Sequence, residues 1–166
     1  MRRILLVLVG IVVFPAAARN ALEAQSATAS LTVSANVTKN CTISTTPVNF
    51  GAYDPVAANA TAPRDGTGIL TVTCTKGAVA KIDLNTGTNA QGTTRRMSQG
   101  AAEYLNYELY SDAAHTVVWG TGTNGLDIGA APNRNPRSIT VYGRVPQAQD
   151  ATVGSYTDTV VATVNF

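Results

Sequence analysis

The sequence predicts an all-β fold, a β-sandwich that is one strand short. Residues 26–37 alternate small polar and apolar side chains without interruption, and several shorter segments repeat the same period of two. Such alternation places the apolar side chains on one face of a strand. Many short strands separated by turn residues are typical of a sandwich.

The first element is an export signal that does not belong to the fold. Residues 1–3 are charged at two positions, and an apolar run of eleven residues, 4–14, follows before a cluster of alanines. This pattern predicts a secretory signal peptide, too short for a permanent membrane span. Cleavage after Ala24 is favoured over Ala18 or Ala27, and an uncleaved membrane anchor is the alternative.

The charge of the chain belongs mostly to that signal. The 12 basic and 10 acidic residues become nine and nine when residues 1–24, with Arg2, Arg3, Arg19 and Glu23, are removed. A nearly neutral surface has no basic patch for phosphate contacts, so nucleic acid is disfavoured as a partner.

The mature chain begins with the donor segment, residues 25–37. Twelve alternating residues at about 3.4 Å each span roughly 40 Å, whereas strands usually have about 5–6 residues. We therefore predict that this segment leaves its own domain and pairs with another subunit. Its apolar face consists of Ala27, Ala29, Leu31, Val33, Ala35 and Val37.

Two cysteines remain in the exported chain, Cys41 and Cys74. In an oxidising compartment the expectation is one disulfide. Closing a loop of about 34 residues contributes roughly 3–4 kcal/mol by the loop-entropy estimate.

Strands and turns account for the rest of the chain, residues 38–166, which we predict to be one sandwich domain. The predicted strands span residues 40–44, 48–51, 67–75, 80–84, 104–110, 117–119, 138–145 and 154–166. The predicted loops span residues 52–66, 85–94 and 120–129.

Three local patterns fall in or beside the predicted loops. Asp65 and Gly66 form a turn signal, and Gly66 and Gly68 are interpreted as turn glycines. Arg95 and Arg96 form the one local basic pair. They are assigned either to a solvated loop or to a contact with a neighbouring subunit or chaperone.

The terminal strand is expected to border an apolar groove. No closing strand follows Phe166, and a sandwich without its last strand exposes an apolar groove and an unpaired sheet edge. A donor segment from another copy would fill such a gap by strand addition. The residues of one parity are Tyr156, Val160, Ala162, Val164 and Phe166.

Catalytic and ligand-binding interpretations are weaker. Ser111, Asp112 and His115 lie on one short segment and are interpreted as a turn, because triad residues must converge in space. No cofactor or metal site is expected. Five aromatic residues could form a sugar-binding platform but are assigned to core and cross-strand packing: Tyr104, Tyr107, Tyr110, Tyr142 and Trp119.

An ordered set of short motifs runs along nearly all of the mature chain. It comprises NCTI from Asn40, FGAYDP from Phe50, GTG from Gly66, VTCTKG from Val72, RRM from Arg95, YLNYELYSD from Tyr104, WG from Trp119, TVYGRVP from Thr140 and GSYTDT from Gly154. In this set the chain resembles the spore coat protein U (SCPU) domain family, which includes subunits of archaic (Csu-type) chaperone–usher pili.

The resemblance implies an incomplete immunoglobulin-like β-sandwich that is completed by a donor strand from a neighbouring subunit. It further implies a periplasmic chaperone, an outer-membrane usher, polymerisation into a cell-surface pilus, and a role in adhesion or biofilm. The terminal strand would be the part that the chaperone grips. The rival interpretations are a carbohydrate-binding tip adhesin or spore coat module, and a secreted enzyme that uses His115.

Overall fold

The computed structural model describes Gly10, residues 25–100 and residues 102–166. The predicted signal peptide, residues 1–24, lies outside the described residues apart from Gly10. The chain divides into two units, Met1–Ala35 and Asn36–Phe166. Among the described residues, no helix has the length and apolar character needed to cross a membrane.

The second unit is built from eight strands and one short 3₁₀ helix. The strands are β1 (Cys41–Asn49), β2 (Arg64–Cys74), β3 (Val79–Leu84), β4 (Arg95–Gln99), β5 (Glu103–Tyr110), β6 (Leu126–Ala130), β7 (Arg137–Val145) and β8 (Ala162–Asn165). The 3₁₀ helix spans Gly122–Asn124.

The strands form two sheets that enclose the core. The larger sheet has the order β1-β2-β7-β5-β4, the smaller one has the order β6-β3-β8, and every pairing within them is antiparallel. Alternate residues of the central strands point inward, as the period of two predicts. The fully buried core side chains with the largest volume are Trp119, Ile82, Val72 and Val145. The predicted all-β sandwich is confirmed.

Two predicted strands are one. Residues 40–44 and 48–51 were expected as separate strands, but β1 runs through Cys41–Asn49 with a register shift between Thr46 and Asn49. Pro47 lies in this irregular stretch, where a residue without an N–H does not interrupt the ladder.

The turn predicted at Asp65 and Gly66 is wrong. Both residues lie in β2, where Asp65 faces Arg144 and Gly66 faces Gly143 of β7. Long-range pairing overrides the local turn preference here, and the Asp65 carboxylate accepts two hydrogen bonds from Arg144, at 2.7 and 2.8 Å.

Two strands were not predicted. β4 begins at Arg95, so the assignment of Arg95 to a solvated loop or a partner contact is wrong, because this side chain is only 2% exposed. β6 lies largely within the predicted loop 120–129 and pairs with β3. β4 does not alternate clearly, because Arg95 occupies an inward position. β6 alternates over only five residues directly after a glycine-rich stretch, which is why it was interpreted as loop.

Two other strand predictions were too generous. Val118 forms only an isolated bridge with Tyr110, so residues 117–119 are not a strand. Residues 154–166 were expected as one strand, but only Ala162–Asn165 is one. Before β8, Thr157 forms an isolated antiparallel bridge with Ser98 of β4, and residues 158–161 are bonded mainly by the loop 85–89.

Residues 25–40 carry no regular secondary structure, and each of them is exposed. The predicted strand at residues 26–37 is therefore not formed in the single chain. A strand needs a partner edge for its backbone groups, and alternation alone does not supply one.

Candidate functional site

The candidate site is an open groove between one edge strand of each sheet. Among the described residues, β1 pairs only with β2, and β8 pairs only with β3. Each strand therefore has one edge without a ladder partner, and the two strands approach each other at the side of the sandwich. An additional strand inserted here would find backbone partners on both sides.

The groove consists of two adjoining cavities. One has a volume of about 620 Å³ and lies between residues 48–55 and residues 151–156. The other has a volume of about 490 Å³ and lies between residues 45–48 and residues 156–162. Both are bordered by Val48, Phe50, Met97 and Tyr156, so they form one continuous depression.

The floor of the groove is apolar. Leu70, Leu84 and Leu109 line the second cavity, and none of them is more than 4% exposed. Met97, Tyr156 and Val160 are partly buried and pack against the same core. A strand with one apolar face would cover this floor with side chains of matching character.

Strand β1 forms one wall of the groove, and glycines of β2 and β7 allow the side chains of this wall to lie close to the larger sheet. A Cβ at Gly143 would lie 2.8 Å from both Phe50 Cζ and Val48 Cγ1, and one at Gly68 would lie 2.8 Å from Val48 Cγ2. Gly66 is equally crowded, with its Cβ position 2.7 Å from the Asn49 carbonyl oxygen. Glycine is needed at these strand positions because neighbouring residues of β1 and Phe50 approach the backbone closely. The interpretation of Gly66 and Gly68 as turn glycines is therefore wrong.

Asp158 anchors the opposite wall. Its Oδ1 accepts hydrogen bonds from the backbone N–H groups of Thr88 and Asn89 and from the Asn89 side chain, at 3.0–3.1 Å. Its Oδ2 accepts a 2.7 Å hydrogen bond from the Tyr107 hydroxyl. Burial, together with this bond to a carboxylate, raises the pKa of Tyr107, so the phenol stays protonated and continues to donate.

Asn85 provides a second anchor for the same wall. Its Oδ1 accepts a 2.8 Å hydrogen bond from the Val161 N–H, and its own N–H donates to the Val161 carbonyl oxygen. The loop 85–89 therefore replaces a neighbouring strand along residues 157–161. Sequence reasoning missed both anchors, since asparagine and glycine residues in a loop give no local sign of a long-range partner.

A buried ion pair supports the floor from within the sandwich. The Arg95 guanidinium contacts the Glu108 carboxylate. It also donates to the carbonyl oxygens of Leu84, Asn85 and Trp119 at 2.8–3.1 Å. These bonds satisfy a charge that burial would otherwise strongly disfavour. The adjacent Arg96 instead lies 3.9 Å over the Tyr104 ring.

A hydrogen-bonded loop closes one end of the groove. The Tyr53 hydroxyl donates to the Pro146 carbonyl oxygen at 2.8 Å, and Asp54 Oδ1 accepts from the N–H groups of Val56 and Ala57. Asn59, only 5% exposed, donates to the Ala62 carbonyl oxygen. The FGAYDP motif thus forms a fixed turn beside the first cavity.

The predicted site residues fall into two groups. Tyr156, Val160, Ala162 and Val164 are partly buried against the core, while Phe166 is 46% exposed. In the donor segment Leu31 and Val33 are each 87% exposed, and Val37 is 80% exposed. The remaining members of its apolar face, Ala27, Ala29 and Ala35, are also exposed.

The predicted disulfide is present. Cys41 and Cys74 face each other across β1 and β2, and their sulfur atoms are bonded. The cross-link fixes β1 to the larger sheet immediately after the donor segment and its three-residue connection, residues 38–40.

The residues considered for catalysis hold a turn together. Asp112 accepts hydrogen bonds from the N–H groups of Thr116 and Val117, which lower the pKa of its carboxyl group. The His115 ring packs edge-on against Tyr110 and Tyr142. Its Nε2 lies 3.8 Å from Asp65 Oδ1, and among the described residues no hydrogen bond joins the His115 ring to Ser111 or Asp112.

The aromatic residues do not form a common platform. Trp119 is fully buried and donates its indole N–H to the Ile82 carbonyl oxygen, and Tyr107 is 6% exposed. Tyr110 and Tyr142 are cross-strand neighbours. Core and cross-strand packing is confirmed for these four, while Tyr104 stacks with Arg96.

Comparisons with known proteins agree with this architecture. Residues 27–163 match the model of the Spore Coat Protein U domain. The chain is 41% identical over 157 residues to "Protein U" of Myxococcus xanthus, and the match covers 87% of each chain.

A solved structure shares the fold. One chain of the CsuC–CsuE chaperone–tip adhesion subunit pre-assembly complex, from archaic chaperone-usher Csu pili of Acinetobacter baumannii, superposes with a TM-score of 0.55 at 22% identity. The match covers 78% of this chain but only 40% of that chain. The family match over most of the sequence and the likeness to Protein U lead to one conclusion: the chain belongs to the Spore Coat Protein U domain family.

Proposed function

We propose that this protein is an exported structural subunit of a surface pilus that polymerises by donor-strand complementation. Residues 27–37 of one copy enter the groove of the next copy. The donor segment of that copy enters the groove of a third. The role is non-covalent and structural, without a catalytic step.

One observation carries the proposal: an apolar groove lies between two strand edges, and the same chain contains an exposed segment with matching alternation. Leu70, Leu84 and Leu109 form an apolar floor, while Leu31 and Val33 are each 87% exposed. A single copy therefore has both an open groove and a segment of the right pattern to fill the groove of another copy.

The energetics favour a long-lived contact between the donor segment of one subunit and the groove of the next. Burying Leu31, Val33 and Val37 contributes about 1.5–3 kcal/mol for each side chain, and each ladder hydrogen bond adds about 0.5–1.5 kcal/mol. The sum exceeds about 10 kcal/mol before ordering costs, which is sufficient for slow dissociation. Ala29 and Ala35 fill shallower parts of the groove.

The proposed partners are a periplasmic chaperone, an outer-membrane usher and other copies or related subunits. The chaperone protects the groove by contacting the C-terminal segment at Tyr156, Val160, Ala162, Val164 and Phe166. The Csu structure that shares the fold is a complex of a chaperone with a tip adhesion subunit before assembly, which supports this order of events. The protein would pass through the periplasm, after removal of its signal peptide, to the cell surface.

A second candidate is a subunit of a spore or surface coat that assembles by the same strand exchange. The likeness to Protein U over 87% of both chains favours it, whereas the match to the pilus complex covers 40% of that chain. Both candidates use the same contact between donor segment and groove. They differ in the assembly, because a pilus is a thin fibre and a coat is a continuous layer.

Electron microscopy of exported material tests the proposal. Cells that carry this gene with its neighbouring chaperone and usher genes should display fibres labelled by an antibody against residues 38–166. Deletion of residues 26–37 should abolish them while leaving the subunit exported to the periplasm. A labelled layer in place of fibres would favour the coat, and fibres formed by the deletion variant would refute strand donation.

A further inference from the structure

We propose that Thr75 holds residues 38–40 extended, which disfavours entry of the donor segment into the groove of its own subunit and so favours its use by a second copy. This inference rests on the proposed function, because it concerns which groove the donor segment enters.

The sequence pattern alone would permit self-closure. The groove borders the free edge of β1, and the donor segment precedes β1 by only three residues, 38–40. Three-residue connections are common in β-hairpins. A hairpin on this connection would place Val37 opposite Cys41 and Val33 opposite Thr45.

The parity of that hairpin is correct. Residues directly opposite in an antiparallel pair share a face of the sheet. Cys41, Ile43 and Thr45 of β1 face the buried Cys74, Val72 and Leu70 of β2. The apolar face of the donor segment would therefore point toward the core in the self-closed hairpin, as it would in a neighbouring subunit.

The structure opposes this hairpin at the connection. The Asn40 N–H donates to Thr75 Oγ1 at 3.2 Å, and the Thr75 hydroxyl donates to the Thr38 carbonyl oxygen at 3.2 Å. The Thr75 N–H donates to the Asn40 carbonyl oxygen at 2.8 Å. Residues 38–40 thus continue the pairing of β1 with β2 in an extended direction.

Chain reversal would have to break these bonds. A hairpin turns the chain by about 180° within residues 38–40, whereas Thr75 binds both ends of that stretch from the opposite edge of β1. The disulfide between Cys41 and Cys74 keeps Thr75 next to Asn40, so the contact cannot drift away. The hydroxyl of one threonine thereby biases the donor segment toward another copy.

Chymotryptic cleavage after Leu31 reports where the donor segment lies. The mature protein is refolded at high dilution, with its disulfide intact, in a Lys39→Gly background that eases the turn. Thr75→Val removes the hydroxyl and keeps the backbone bond. The ratio of self-closed to open segment should rise by roughly 5- to 30-fold, the effect of losing one or two hydrogen bonds, so cleavage should become slower because the segment now enters its own groove more often.

Two matched variants serve as controls. Thr75→Ser retains the hydroxyl, and Thr73→Val removes a hydroxyl two residues earlier, in β2, that makes none of these bonds. Both should be cleaved as fast as the Lys39→Gly background. Equal cleavage rates for Thr75→Val and Thr73→Val, or a background that is already protected, would overturn the inference.

Amide exchange provides a test that needs no variant. In the unsubstituted protein the Asn40 N–H should exchange at least about tenfold more slowly than that of Ser34, relative to their intrinsic rates. Equal protection factors would overturn the inference even if Thr75→Val does not fold. Failure of the unsubstituted protein to polymerise at high concentration would contradict the proposed function instead, and would leave the cleavage comparison valid.

Discussion

The Tyr107 hydroxyl donates a 2.7 Å hydrogen bond to Asp158 Oδ2, and this bond joins the floor of the groove to its wall. Tyr107 lies in β5 of the larger sheet, and Asp158 lies in the segment that leads to β8 of the smaller sheet. The contact therefore spans the sandwich at the level of the groove.

Loss of this bond should weaken the wall. Tyr107→Phe keeps the ring but leaves Asp158 with its loop partners only, so we expect the free energy of unfolding in urea to fall by about 1.5–3 kcal/mol, the value for a hydrogen bond to a charged group. Tyr142→Phe, on the outer face of the same sheet, should change it by less than about 0.5 kcal/mol. Equal losses in both variants would contradict the assigned contact.

The buried ion pair should be sensitive to removal of either partner. Arg95→Ala removes the cation that pairs with Glu108 and the guanidinium donor of three carbonyl oxygens, and we expect a loss of about 3–5 kcal/mol in the free energy of unfolding. Arg96→Ala is the matched control, because Arg96 stacks over Tyr104 and donates to the Asn89 carbonyl oxygen and to Gln91 Oε1 without a buried ion pair, so its loss should cost about 1–2 kcal/mol. Thermal unfolding of both variants tests the difference, and similar melting temperatures would refute it.

A charge on the apolar face of the donor segment should block assembly. Leu31→Asp places a carboxylate against the groove floor, so we expect no fibres while chaperone capture remains intact, as measured by co-purification. Thr32→Asp puts the same charge on the polar face one residue later and should leave the fibre yield nearly unchanged. Unchanged fibre yield for Leu31→Asp would remove that residue from the donor face.

Transfer of the donor segment should close the subunit on itself. A copy of residues 26–37 placed after Phe166 through a short turn linker, with the original segment deleted, should give a stable monomer that does not polymerise. The same copy with Leu31→Asp should not stabilise it. Size-exclusion chromatography and melting temperature measure the outcome, and continued fibre growth from the first variant would count against strand complementation.

Acid should weaken the outer face of the larger sheet through Asp65. Hydrogen bonds from Arg144 lower the pKa of this carboxyl below its ordinary value. The stabilisation is therefore complete above the unfolded-state pKa and is lost as the pH falls through the folded-state value. Asp65→Asn should cost at most about 1 kcal/mol at neutral pH and should make urea stability fall less steeply below about pH 4. An unchanged slope would show that Asp65 does not contribute.

Strict alternation made the central strands predictable. The predicted bounds of β2, β3, β5 and β7 lie within three residues of the observed ones, because buried apolar residues alternate with more exposed ones along much of each strand. β4 was missed because Arg95 occupies an inward position, which is tolerated only since Glu108 and three carbonyl oxygens surround it. That compensation comes from residues far away in the sequence.

The groove likewise has features that the sequence predicted and features that it did not. The alternation of residues 156–166 predicted an apolar wall. Gly66 and Gly68 were interpreted as turn glycines because glycine is common in turns, and Gly143 was given no role. Their role is clear only where Val48 and Phe50 cross them at a distance that no Cβ would allow.

The sequence by itself determined which faces are apolar, which cysteines pair, and that residues 26–37 carry a strand pattern. These properties follow from side-chain parity and composition, which are local. Only the tertiary structure decided which strand edges lack a partner, where glycine permits close approach, and which hydrogen bonds Thr75 makes with Thr38 and Asn40. Those outcomes depend on which distant strands meet, and packing sets that choice over the whole chain.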